Sequence, residues 1–208
     1  KFPTEIVDLP SMGKLYAKES LLSSGTIEMK YMTAKEEDIL TNQNYIEKGI
    51  VIDKLLKALI VDKSINYNEI LVGDKNALLI AARILGYGKD YEFAYNGSTE
   101  QIDLSLLDNK KLHPEIEKAK ENAFNFTLPT TNHVITFKLL AHGDESAIDQ
   151  EVKGLKKINK ESSAELSTRL KHMITAVNGE TEKKTIRAFV DNQFLARDSR
   201  AFRNYLRD

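Results

Sequence analysis

Apolar residues recur every three or four positions over two stretches of the chain. In GIVIDKLLKALIVD (49–62), Ile52, Leu55, Leu56 and Leu59 fall at i, i+3, i+4 and i+7, one continuous helical stripe. In GDKNALLIAARILGYG (73–88), Leu78, Ala81, Ala82 and Leu85 repeat that spacing; Asp74 is placed to cap the start and Gly86 to take the left-handed position after the end. TIEMKYM (26–32) alternates instead, with Ile27, Met29 and Tyr31 on one face, and so predicts a strand. Thr33-Ala34-Lys35-Glu36 then has the form of a capping box, opening a short helix that ends near Leu40.

Alternation returns in YEFAYNGSTEQIDL (91–104). Tyr91, Phe93 and Tyr95 are one face of a strand, Asn96-Gly97 is a tight turn with positive φ, and Ile102 and Leu104 resume the pattern, predicting a hairpin. A second ribbon is expected from Phe124, Phe126 and Leu128, a break at 129–132, and Ile135, Phe137 and Leu139. After His142-Gly143 the pattern becomes helical. Ile148, Val152 and Leu155 form a modest stripe. A second capping box, Ser162 to Glu165, leads into a stripe of Leu166, Leu170, Met173, Ile174 and Val177 that runs to Gly179. Ile186, Phe189, Val190 and Phe194 mark another helix, and Phe202, Tyr205 and Leu206 a last one. The opening segment to Ser24 reads as an irregular arm anchored by Leu9, Leu15 and Tyr16. The expected fold is α+β: small antiparallel ribbons packed on helices over 1–143, followed by a helical C-terminal subdomain at 144–208.

Composition adds mostly exclusions. With 41% hydrophobic and 29% charged residues, the 208-residue chain can bury a core under a polar surface. No apolar run approaches the roughly 18–20 residues of a membrane helix, and KFPTEIVDLP lacks the apolar stretch of a secretory signal. The absence of cysteine removes disulfides, thiolate metal sites and cysteine nucleophiles, and fits a reducing cytoplasm. Residues 1–150 carry 17 Lys and Arg against 23 Asp and Glu, whereas residues 151–208 carry 13 against 8, a polarity that can steer association.

Candidate chemistry is sparse. His113, His133, His142 and His172 share no metal-ligand spacing. Glu36, Glu37 and Asp38 are explained by the first turn of a helix. Gly73 and Lys75 lack the further glycines and the Lys-Ser/Thr pair of a phosphate loop. Arg197, Arg200, Arg203 and Arg207 lie near one side of the last helix, but acidic residues dilute them, which favours a protein-contacting face over a nucleic-acid one. No nucleophile, base or metal constellation reads as an active site, and no cofactor is expected.

Four strings in order carry a resemblance: LPSMGKLY (9–16), YMTAKEEDIL (31–40), GDKNALLIAARILGYGKDYEF (73–93) and FTLPTTNHVITFKLL (126–140). Together the chain resembles the baseplate hub assembly family of contractile-tailed phages, most of all its short T-even form. Many relatives carry Cys-x-x-Cys at the tip of the first hairpin; here the stretch is Asn96-Gly97-Ser98-Thr99, which offers no thiolate, so the tip is a turn held by its own geometry. Relatives can also extend past the arginine-rich helix, whereas this sequence stops at Asp208. The resemblance implies a non-enzymatic late protein, acting in the host cytoplasm during assembly or in the virion baseplate. Its implied partners are baseplate hub proteins or the tail tape-measure protein, with no membrane and with self-association open. A chaperone of such a partner would bind exposed apolar helical segments in a groove. The expected surfaces are the stripes of Leu55, Leu56 and Leu59 and of Phe189, Phe194 and Phe202, with Arg200 and Arg203 steering acidic partners. The same stripes also read as core. A structural hub component and a nucleic-acid-binding regulator are the alternatives.

Overall fold

The first strand is one the apolar pattern does not announce. β1 (Thr4–Asp8) pairs antiparallel with β2 (Thr26–Lys30), in the register Thr4–Lys30 to Asp8–Thr26. Ile6 points to solvent, so β1 lacks the buried alternation that marks β2, where Ile27 and Met29 are buried. The computed structural model describes residues 2–107, 111–161 and 163–207. It comprises two units, Lys1–Leu112 and His113–Asp208.

In the first unit the LPSMGKLY arm crosses over the segment that leads into β2. Gly13 (φ 76°) and Gly25 (φ 77°) make the crossing possible: a Cβ at Gly13 would lie 2.5 Å from the Ser23 carbonyl oxygen and 2.6 Å from the Gly25 nitrogen. The expected anchors Leu9, Leu15 and Tyr16 are buried. Helices α1 (Ala34–Leu40), α2 (Gln43–Glu47) and α3 (Val51–Leu59) follow, and the chain then bridges back, with Ile60 opposite Met29. The capping box at Thr33 forms as expected: the backbone N–H and hydroxyl of Thr33 both donate to Glu36.

Helix α4 (Val72–Tyr87) runs past the glycine expected to end it. Gly86 lies inside the helix where Met32 packs closest, and Gly88 (φ 84°) takes the terminal position. Asp74 has a different task from capping. Fully buried, its carboxylate accepts from the Ser11 N–H (2.9 Å), the Ser11 hydroxyl (2.6 Å) and the Tyr16 hydroxyl (2.5 Å), pinning the arm to the helix. Burial, then the Asp74 charge, pushes the Tyr16 phenol well above its ordinary pKa. The hairpin β3 (Asp90–Tyr95) and β4 (Ser98–Asp103) closes the unit over a turn with Asn96 at φ 48° and Gly97 at φ 81°, both as expected.

The second unit opens with α5 (Pro114–Lys118) and a sheet of order β5 (Phe124–Thr127), β6 (Val134–Phe137) and β7 (Ile174–Val177), all antiparallel. The boundary expected after residue 143 falls inside this unit, because β6 on one side of it pairs with β7 on the other. Helix α6 (His142–Ile158) and α7 (Glu165–Met173) connect the two strands. The stripe read as helix to Gly179 therefore breaks at Met173. Ile174, Thr175 and Val177 are β-branched, and the open edge of β6 gives them backbone partners that a helix would not improve. The capping box expected at Ser162 lies outside the described residues. α8 (Lys183–Asn192) and α9 (Ala196–Arg207) form the C-terminal helical pair. Phe202 of α9 packs on the sheet, 4.9 Å from Phe137 and 5.6 Å from Phe126 by ring centroids. The chain is α+β, as the sequence pattern predicts.

Each unit carries a buried aspartate in the first turn of a helix that ties down a distant loop. In the second unit Asp198 of α9 accepts from the backbone N–H groups of Thr130 (2.8 Å) and Thr131 (3.2 Å) and from the Thr131 hydroxyl (2.8 Å). Burial alone would raise its pKa; the Thr131 and Thr130 donors outweigh that and hold it below the usual carboxylate range. Helices α6, α7 and α8 meet at Glu151, which takes His172 at 2.8 Å and Arg187 at 2.7 Å.

Candidate docking surface

The hairpin β3–β4 is paired only as a ribbon, and its side chains are open on both faces. Every residue of β3 and all of β4 except Asp103 are exposed. In its register Tyr91 faces Ile102, Phe93 faces Glu100 and Tyr95 faces Ser98, so these six side chains share one face. Tyr91, Phe93, Tyr95 and Ile102 are 42%, 40%, 61% and 37% exposed. These side chains are covered only in part within the unit, and the rest of the aromatic face is open. A contiguous apolar patch on the order of a few hundred Å² is the size at which exposed surface marks an interaction site.

The ribbon is held to α4 by a ladder of flat groups. The Arg83 guanidinium lies 5.0 Å from the Tyr87 ring centroid and 5.5 Å from that of Tyr91, and the Tyr91 and Phe93 rings stack at 6.2 Å. Arg83 Nη1 is buried and without a hydrogen-bond partner among the described residues, so the two rings are what its charge meets. Leu79 and Ile80 of α4 are also exposed, as is Tyr87, whose hydroxyl donates to Glu37 at 3.2 Å. From Lys89 to Leu104 the ribbon has one lysine against four carboxylates: Asp90, Glu92, Glu100 and Asp103. Lys89 is itself paired with Asp103 at 2.8 Å. The surface is aromatic and acidic, a combination that repels nucleic acid and suits an apolar protein segment bearing basic residues.

The surfaces expected from sequence are placed elsewhere. Leu55, Leu56 and Leu59 are 3%, 0% and 0% exposed and form the core of the first unit; Phe189 and Phe202, at 3% and 0%, belong to that of the second. They face inward because α3 lies under α1 and α4, and α8 and α9 pack around the β5–β7 sheet. Phe194 is half-buried against Phe189, while Arg200 and Arg203 are exposed. The four histidines remain scattered. His172 joins Glu151, and His133 stacks edge-on to Phe189.

Each unit also contains a cleft among the described residues. The first, about 470 Å³, is lined by Phe2, Ile60, Val61, Lys30, Lys63 and Glu36 among others. The Lys63 ammonium donates to the carbonyls of Lys57, Ala58 and Ile60, ending α3. The second, about 380 Å³, is lined by Lys138, Lys171, His172 and Arg187, which are paired with Asp144, Asp191, Glu151 and Glu151. These four side chains are matched by acidic neighbours in their own unit, and Lys183 also lines the cleft. Among the described residues, no group of three His, Asp or Glu side chains is arranged to hold a metal ion, and no helix is long and apolar enough to cross a membrane.

Sequence reasoning placed the hairpin correctly and read it only as a turn. The missed signal is an imbalance: three aromatics on β3 face a partner strand, STEQID, with a single apolar residue. Such a ribbon cannot bury its aromatic face by itself. No family model, curated protein or solved structure matches the chain.

Proposed function

We propose that this protein is a non-enzymatic assembly factor for the baseplate hub of a contractile tail. It holds a hub or tape-measure protein soluble by covering an apolar helical stripe that is exposed before assembly. The observation that carries the reading is the open aromatic face of Tyr91, Phe93 and Tyr95, ordered by the hairpin register and the Arg83 contact and still 42%, 40% and 61% exposed. The four ordered strings that resemble the hub assembly family support it from a separate direction. The docking face is then the hairpin ribbon, in place of the α3, α8 and α9 stripes that fill the cores. Rigid aromatics suit this work because they cover area with few rotatable bonds to freeze.

Co-expression with each hub and tape-measure protein tests the reading. The wild-type chain is expected to raise the soluble yield of one of them. Tyr91→Ser/Phe93→Ser/Tyr95→Ser is expected to lower its affinity for that protein at least tenfold, since two or more interface aromatics are removed at ~1–2 kcal/mol each. Its thermal midpoint should fall only slightly, because these side chains are largely exposed and the Arg83–Tyr91 contact that is lost contributes ~0.5–1 kcal/mol. A triple variant that solubilises the partner as well as wild type would overturn the assignment of the ribbon. Stoichiometric retention of the chain in purified tails would replace the chaperone role with a structural one.

A further inference from the structure

The most exposed long apolar side chain of the helices lies at the end of α6. Ile158 is 86% exposed, and Leu155, one turn before it on the same stripe, is 36% exposed. They sit in KGLKKINK (153–160), four lysines with no acidic residue, all exposed. Among the described residues, Lys153 alone of the four has an ion-pair partner, Asp149 one turn back. This helix end is therefore apolar along one stripe and strongly basic around it. The β3–β4 ribbon is the converse, aromatic on one face and acidic throughout. Of its four carboxylates, Glu100 lies on the aromatic face, and Asp90, Glu92 and Asp103 on the other.

We infer that the ribbon of one copy docks the α6 end of a second copy, with Leu155 and Ile158 on the aromatic face and the lysines against Glu100 and the acidic edges of the ribbon. This rests on the reading of the ribbon as a docking face and names a further occupant for it. Two observations carry the choice of a second copy. One chain presents both halves of a match in shape class and in charge, and each half exposes apolar surface with nothing in its own unit to cover it. The α6 end has the chemistry the ribbon selects in any partner, a basic amphipathic helix, so self-association covers the ribbon until such a partner displaces it. The contact is heterologous, with different patches meeting. It is small, so its affinity is weak and falls with added salt.

Sedimentation equilibrium of the full chain from about 10 µM to about 1 mM, at low and at physiological salt, reads the contact. The expected result is an average mass that rises above one chain with concentration, more steeply at low salt. Ile158→Asp and Phe93→Ser should each weaken association at least tenfold. Lys156→Glu/Lys157→Glu and Glu92→Lys/Glu100→Lys should each abolish it, and a mixture of those two charge-reversed proteins should associate again. All four sites are exposed, so circular dichroism is expected to be unchanged, and any variant that loses it is replaced by Ile158→Lys or Phe93→Lys. The mass of one chain at every concentration would overturn the inference, as would association that persists in Ile158→Asp or fails to return in the mixture. None of these outcomes touches partner solubilisation in co-expression, so the two readings fail separately.

Discussion

Asp74 is the position where one atom group carries most of the first unit's long-range order. Its carboxylate is 1% exposed and accepts three hydrogen bonds from residues about 60 positions away, at 2.9, 2.6 and 2.5 Å. Asp74→Ala leaves the Ser11 N–H, the Ser11 hydroxyl and the Tyr16 hydroxyl buried without their acceptor. A hydrogen bond to a charged group contributes ~1.5–3 kcal/mol. The three share one acceptor and are not additive, so a loss of ~3–5 kcal/mol is expected, the range for breaking a buried charged network. For a unit of this size that is a fall in unfolding midpoint of roughly 10–25 °C. Tyr16→Phe removes one donor along with its need and should cost only ~1–2 kcal/mol. Tyr16 also accepts the Leu71 N–H at 3.0 Å, and that bond sets the lower end of its cost above zero.

The assay is amide hydrogen exchange with thermal unfolding followed by tyrosine fluorescence, since the chain has no tryptophan. Protection should fall over the arm and α4 and stay at wild-type level in β5–β7. An Asp74→Ala midpoint within about 2 °C of wild type would refute the argument that unmet donors set the cost.

Two further outcomes follow from the same unit. Gly13→Ala combines a positive φ with a Cβ placed 2.5 Å from a backbone oxygen, neither of which a rotamer can relieve; a loss of at least ~3 kcal/mol is expected by urea titration. Glu36 is buried, which acts to raise its pKa, but donors from Lys30 and Thr33 outweigh burial and hold it at about 2 against an ordinary value of 4.5. Its folded pKa is the lower one, so its contribution is complete above about pH 4.5 and is lost as pH falls toward 2. The gap in thermal midpoint between wild type and Glu36→Gln should therefore narrow over that interval, and a gap that is constant with pH would contradict it.

Much of the fold was legible because most of its elements obey one local period. The stripe of α3, the alternation of β2, the Asn-Gly turn and the box at Thr33 all form where residue type and spacing place them. What was not legible depended on partners distant in sequence. β1 has no buried alternation of its own and exists because β2 offers an edge. Ile174 to Val177 continue a helical period and leave it because β6 offers another. Asp74 sits where a capping residue belongs, yet its acceptors are used by Ser11 and Tyr16, a fact that no window around position 74 contains.

The candidate surface was hidden for a different reason. Periodicity reports that a face is apolar without reporting what covers it, and the strongest stripes, at Leu55 to Leu59 and Phe189 to Phe202, are strongest because they fill the cores. A docking face that must also remain in solution has to be small, and charge around it keeps it from non-specific association. The β3–β4 ribbon meets that condition with three aromatics among four carboxylates, and the α6 end meets it with two aliphatics among four lysines. A short apolar pattern that stops too soon to make a core and is flanked by charge mostly of one sign is therefore the signal that marks both candidate surfaces.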